Sequence, residues 1–106
     1  MTDRKTPRYG HAPIPMRRVS AYGEITQQGD FFWDQRAGVL RITLALPSDL
    51  PSKGWIVNSL RVQIGESADG PIWGYDGEED SPTLVPSIHC FGHWHGFVTK
   101  GTLVEA

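Results

Sequence analysis

Two runs of alternating apolar and polar residues, split by a pair of prolines, do most to limit what this chain can become. From Val39 to Leu46, Leu40, Ile42, Leu44 and Leu46 fall on one side and Val39, Arg41, Thr43 and Ala45 on the other. From Trp55 to Ile64, Ile56, Leu60, Val62 and Ile64 repeat the pattern, with Asn58 the polar exception on the apolar side. A period of two is a half-buried strand. Pro47 and Pro51 remove backbone donors between the runs and force a loop. Shorter strands are expected at Ala21 to Thr26, Phe31 to Trp33, Ile72 to Tyr75, Leu84 to Cys90, Trp94 to Thr99 and Thr102 to Val104. No window sustains helical periodicity for three turns. The expected fold is therefore all-β, a small antiparallel sandwich or barrel. With 106 residues, one domain is the expectation.

Charge divides the chain after Arg18. Arg4, Lys5, Arg8, Arg17 and Arg18 oppose Asp3 alone, for +4, whereas the remaining five cations oppose eleven acids, for −6. Residues 1–18 also hold Pro7, Pro13 and Pro15, which disfavour a helix and favour an extended path. The expected organisation is an extended basic arm, 1–18, and a β-rich domain, 19–106. Arm residues Arg4, Lys5, Arg8, Tyr9, Ile14, Met16, Arg17 and Arg18 are candidates to grip acidic surface, on this domain or on a neighbouring chain. The acidic body argues against nucleic acid as partner. No run approaches the roughly 20 apolar residues of a membrane span, and no secretory signal pattern opens the chain.

Two tight hairpins are expected near the C-terminus. Lys100-Gly101 suits a two-residue turn that pairs Thr99 with Thr102, Val98 with Leu103 and Phe97 with Val104. A two-residue turn at Phe91-Gly92 would pair Cys90 with His93 and Ile88 with His95, so that Cys90, His93 and His95 share a face. Thiolate and imidazoles so placed are candidate zinc ligands, with Asp76, His11 or water completing the set. The competing expectation is a metal-free protein, in which Cys90 is a small buried apolar group and His95 a hydrogen-bonded one. Ser87 and His95 with an acid can be written as a catalytic triad, but no nucleophile elbow surrounds the serine, and the sequence alone argues against it. The run Asp76 to Asp80 lacks the ligand order of a calcium loop and is expected to be a solvated turn. Trp33, Trp55, Trp73 and Trp94 are expected in the core.

Trp73-Gly74-Tyr75-Asp76-Gly77, then Ser81-Pro82-Thr83-Leu84-Val85-Pro86-Ser87-Ile88, then Trp94-His95-Gly96-Phe97 and Gly101 resemble a small uncharacterised domain family of bacteria and their phages. Some members carry the label ammonia monooxygenase, and some accompany ubiquitin-like conjugation enzymes, where a metal-dependent role has been suspected. The resemblance covers about residues 72–104. It marks His95 first, with Asp76, Thr83 and Ser87 beside it. Pro82, Pro86, Gly77, Gly96 and Gly101 complete the motif, as residues that shape the fold. Many relatives place a Cys where Trp94 stands and carry an upstream Cys pair absent here.

Two functions follow as expectations. The first is a non-enzymatic assembly protein, a phage virion accessory or decoration protein, whose arm contacts copies of itself or a capsid or tail protein. The second is a zinc-binding or metal-dependent, hydrolase-like accessory of a bacterial modification system. The virion or the bacterial cytoplasm is the expected location.

Overall fold

A computed structural model describes residues 13–48, 54–67 and 72–106. Arg4, Lys5, Arg8, Tyr9 and His11 lie outside the described residues. Nine strands form one sheet: β1 (Ile14–Pro15), β2 (Arg17–Arg18), β3 (Asp30–Arg36), β4 (Val39–Pro47), β5 (Trp55–Ile64), β6 (Ile72–Tyr75), β7 (Leu84–Cys90), β8 (Trp94–Thr99) and β9 (Thr102–Glu105). Their order is β1-β9-β8-β7-β6-β5-β4-β3-β2. Only Met16 separates the two terminal strands, so the same short segment ends both edges and the sheet is a nearly closed barrel. Among the described residues there is no α-helix, and no helix is long and apolar enough to cross a membrane.

The long alternating runs form the regular wall of this barrel. β4 and β5 pair antiparallel from Leu40↔Val62 to Pro47↔Trp55 without a break. Their inward residues meet Phe31, Tyr75, Leu84, Ile88, Trp94, Val98 and Leu103 in one core. The Lys100-Gly101 hairpin has the expected register, Thr99↔Thr102, Val98↔Leu103 and Phe97↔Val104. Both turn residues have positive φ, 47° and 73°, as a two-residue hairpin of this hand demands.

Three expectations need correction. The sheet is not wholly antiparallel, because β2 runs parallel to β3 and β5 parallel to β6. The segment expected as a strand at Ala21 to Thr26 holds a one-turn 3-10 helix, Tyr22–Glu24, instead. The last six residues of the expected arm belong largely to the barrel: Ile14 pairs with Leu103, Pro15 with Thr102, Arg17 with Asp30 and Arg18 with Phe31. Proline is compatible with a strand at a sheet edge, where its missing N–H is not needed.

Side chains clamp that closing segment. The Arg17 guanidinium forks onto the fully buried Asp30 carboxylate, Nε to Oδ1 at 2.9 Å and Nη2 to Oδ2 at 2.7 Å. The Thr26 backbone N–H also donates to Asp30 Oδ2, at 2.9 Å. Burial pushes the Asp30 carboxyl up, but the bonds from Arg17 and Thr26 outweigh it and hold the group below its ordinary value. Arg18 reaches the acidic loop, 3.2 Å from Glu79 and 3.0 Å from Asp80. At Gly29, φ is +90° and an added Cβ would stand 2.8 Å from the Pro15 carbonyl, so only glycine lets the closing segment lie so close.

Candidate functional site

The β7–β8 hairpin is built differently from the regular wall. Its register is Cys90↔Trp94, His89↔His95 and Ile88↔Gly96. The loop is thus three residues, Phe91, Gly92 and His93, with the Gly92 φ at 84°. Left-handed glycine in a three-residue hairpin loop is a common solution. It relieves Phe91 of the positive φ that a two-residue turn would have imposed. The one-residue difference reverses the expected faces.

Trp94 is 2% exposed and points into the core. Its indole lies against Gly96, where any Cβ would collide with the ring and with the Val104 carbonyl. His95, between them, faces outward with His89 as its cross-strand partner, the rings 4.7 Å apart and inclined at 31°. Cys90 packs against the core, and the Asn58 amide donates to its Sγ at 3.0 Å. Cys90 and His95 therefore occupy opposite faces.

The expected zinc ligands are separately engaged. His93 Nδ1 lies 2.7 Å from Ser48 Oγ. Asp76 Oδ1 accepts from the N–H groups of Glu78 and Thr83, at 3.1 and 3.2 Å. Among the described residues no three His, Cys, Asp or Glu side chains converge as a ligand set. The zinc expectation assumed a shared face for Cys90, His93 and His95, which the longer loop removes.

Beyond Ile88 the ladder is interrupted. Leu84 pairs with Val98 and Ile88 with Gly96, so Val85, Pro86 and Ser87 together stand opposite Phe97. The Val85–Pro86 peptide is cis. Bulges re-aim side chains, and they are frequent beside active sites. Here Ser87 turns toward His95, with Oγ 3.1 Å from Nε2. The Trp73 indole N–H donates to the Ser87 carbonyl at 3.3 Å and fixes the backbone at that point.

The rest of the motif ties the acidic loop to the neighbouring hairpin. Gly77 turns the chain with φ at 87°. Buried Pro82 accepts the Gly101 N–H at 2.9 Å, and the Thr83 hydroxyl accepts the Lys100 N–H at 2.9 Å. Asp76, Gly77, Pro82, Thr83 and Gly101 thus seat β7 against β8 and β9, while Pro86, Ser87 and His95 shape the outer face and Gly96 makes room for Trp94 on the inner one. Burial and the nearby Glu79 and Asp76 push the Tyr75 phenol up to about 12, so it stays protonated near neutrality.

A serine hydroxyl hydrogen-bonded to imidazole Nε2 is the nucleophile and base arrangement of acyl transfer. The chain holds a second serine and histidine contact, Ser48 to His93, but it is made through Nδ1, and Ser48 is 5% exposed at the end of a core strand. Ser87 and His95 sit instead on the outer wall, flanked by Val85, Phe97 and Phe91, which are 56%, 43% and 86% exposed. A shallow hollow of about 300 Å³, lined by Gly65, Tyr75, Thr83 and Val85 among others, adjoins the bulge.

Fold and site together define a small β-barrel with a serine and histidine pair on one outer face. Residues 57–106, just under half of the chain, match a family model described as bacterial ubiquitination-like system serine protease (BubE). That segment contains Ser87, His89 and His95 and excludes Ser48. No curated protein and no solved structure matches the chain.

Proposed function

We infer that this chain is a serine hydrolase that cleaves an acyl bond in an extended peptide, with Ser87 as nucleophile and His95 as general base, in a bacterial ubiquitin-like modification system. The contact of 3.1 Å between Ser87 Oγ and His95 Nε2 carries this reading. The family match supports it, since the matched segment holds both residues and its description names a serine protease.

The chemistry needs Nε2 unprotonated, so that it accepts the Ser87 proton as Oγ bonds to the carbonyl carbon. The carbonyl electron pair moves to its oxygen, and the tetrahedral centre then expels the amine, which takes the proton from His95. Water, deprotonated by the same imidazole, adds to the acyl carbon, and the bond to Ser87 Oγ breaks as His95 returns the proton to that oxygen. His89 lies against the His95 ring at 4.7 Å and restricts its plane. Val85 and Phe97 offer apolar surface on either side of Ser87 for substrate residues.

The assembly reading puts the β-rich body on a capsid or tail surface and has the arm reach a neighbour; of that arm, Ile14, Pro15, Arg17 and Arg18 pair within their own barrel. The metal-dependent reading needs a ligand set on one face, and Cys90 and His95 lie on opposite faces. A fluorophosphonate probe decides among the three readings: stoichiometric labelling at Ser87, abolished by Ser87→Ala and strongly slowed by His95→Ala, supports the hydrolase. An unlabelled, folded protein contradicts it.

A further inference from the structure

Four strands around the barrel from β8, the outer face of β3, β4 and β5 carries charges that the fold itself does not use. Arg41 and Arg61 are directly opposed on β4 and β5. Like charges in that position destabilise a sheet, and among the described residues neither arginine makes an ion pair. Asp34 is the cross-strand neighbour of Arg41, yet its carboxylate turns to Arg36, with Oδ2 3.6 Å from Nε. Its other oxygen, Oδ1, is buried and accepts no hydrogen bond from the described residues. Beside these groups lies a hollow of about 570 Å³, lined by Tyr22, Phe32, Arg36, Arg41, Thr43 and Ser59 among others. The body beyond residue 18 is acidic, so gathering three of its five cations here concentrates positive charge on one patch.

We propose that this face binds an acidic peptide segment of a partner protein, Arg41 and Arg61 taking its carboxylates and Asp34 Oδ1 accepting a peptide N–H. Arginine forks match carboxylates in two-point geometry. An anionic ligand would also relieve the repulsion between the opposed guanidinium groups. The Asp34 oxygen needs a donor, which a peptide backbone N–H supplies between its acidic side chains. Tyr22 and Phe32 supply apolar surface for the residues between the acids. This surface is independent of Ser87, and neither proposal depends on the other.

The test is fluorescence anisotropy on the full chain with two labelled peptides, one alternating glutamate with leucine and one alternating glutamine with leucine. The glutamate peptide is expected to bind and to weaken with salt. Loss of two charge-assisted contacts in R41Q/R61Q is expected to weaken it by about tenfold or more. R41K/R61K keeps charge without the fork and is expected to fall between, which separates binding from any loss of fold. Equal binding of the glutamine peptide, or undiminished binding by R41Q/R61Q, overturns the proposal. Displacement of the glutamate peptide by oligothymidylate at equal or lower concentration also overturns it and assigns the patch to nucleic acid. Ser87 labelling by fluorophosphonate is expected to be unchanged in both double variants, so its failure would be read separately.

Discussion

The β4–β5 and β7–β8 hairpins pair strands of similar length in one barrel, but one ladder is continuous and the other is interrupted. Between β4 and β5 eight consecutive pairs hold register and bury Ile42, Leu44 and Leu46 completely. Between β7 and β8 two more residues stand on one strand than on the other, and that excess brings Ser87 to His95. An even ladder sends alternate side chains straight out and in. Ser87 shares the outer face with His89 and His95 as a diagonal neighbour, and the extra residues on its strand set its approach to the imidazole. The continuous wall buries much of the core, and the interrupted one carries the proposed site.

Substitutions should separate the two roles. Leu44→Ala, which leaves a cavity in the continuous wall, is expected to cost about 2–5 kcal/mol and to lower the melting temperature sharply. In the interrupted wall, Gly96→Ala forces a Cβ into the Trp94 indole and the Val104 carbonyl. It is expected to cost about 1–3 kcal/mol or more and to slow Ser87 labelling as well, since displacing Trp94 shifts His95. A loss of stability at Gly96 with labelling untouched would break the link between the packing of Trp94 and the aim of His95.

The closing segment gives a prediction in pH. Asp30 is held below its ordinary carboxylate value, so the folded state binds its proton less readily than the unfolded chain. Its contribution to stability is fully present above the ordinary Asp value and is lost as pH falls through the depressed one. Acid denaturation followed by circular dichroism should therefore lose this part of its pH dependence in Asp30→Asn. If the variant follows the same acid profile, the Arg17 clamp is not what closes the barrel.

The smallest effect is expected at His89. Its side chain is exposed and touches the ring of His95, so His89→Ala should leave the folding stability within about 0.5 kcal/mol of the parent and slow labelling several-fold. His89→Phe should restore much of the rate if ring contact is what matters. An unchanged labelling rate in His89→Ala would remove His89 from the site.

Much of the barrel was legible in the chain because alternation is a direct record of which face meets the core. The bounds of β5, β6, β7 and β8 and the register of the Lys100-Gly101 hairpin follow from it. The closing segment was less legible, since Pro13, Pro15 and a run of cations resemble a free arm until an unpaired sheet edge is there to receive them. The site was hidden by a single residue. Gly92 serves a two-residue or a three-residue loop equally well, and the choice decides whether His95 looks toward Cys90 or toward His89. Pro86 inside an apolar strand was the available sign of a bulge, but pattern alone does not say which neighbouring side chain the bulge re-aims. Ser87 and His95 lie eight positions apart, and the bulge and the longer loop together bring them into contact.

The most direct measurement is the rate of fluorophosphonate labelling of the intact chain, with the modified residue located by peptide mass spectrometry. The account predicts one adduct, on Ser87, absent in Ser87→Ala, slowed by at least about a hundredfold in His95→Ala, and unaffected by Ser48→Ala. A folded protein that takes no adduct, or takes it on Ser48, would contradict it.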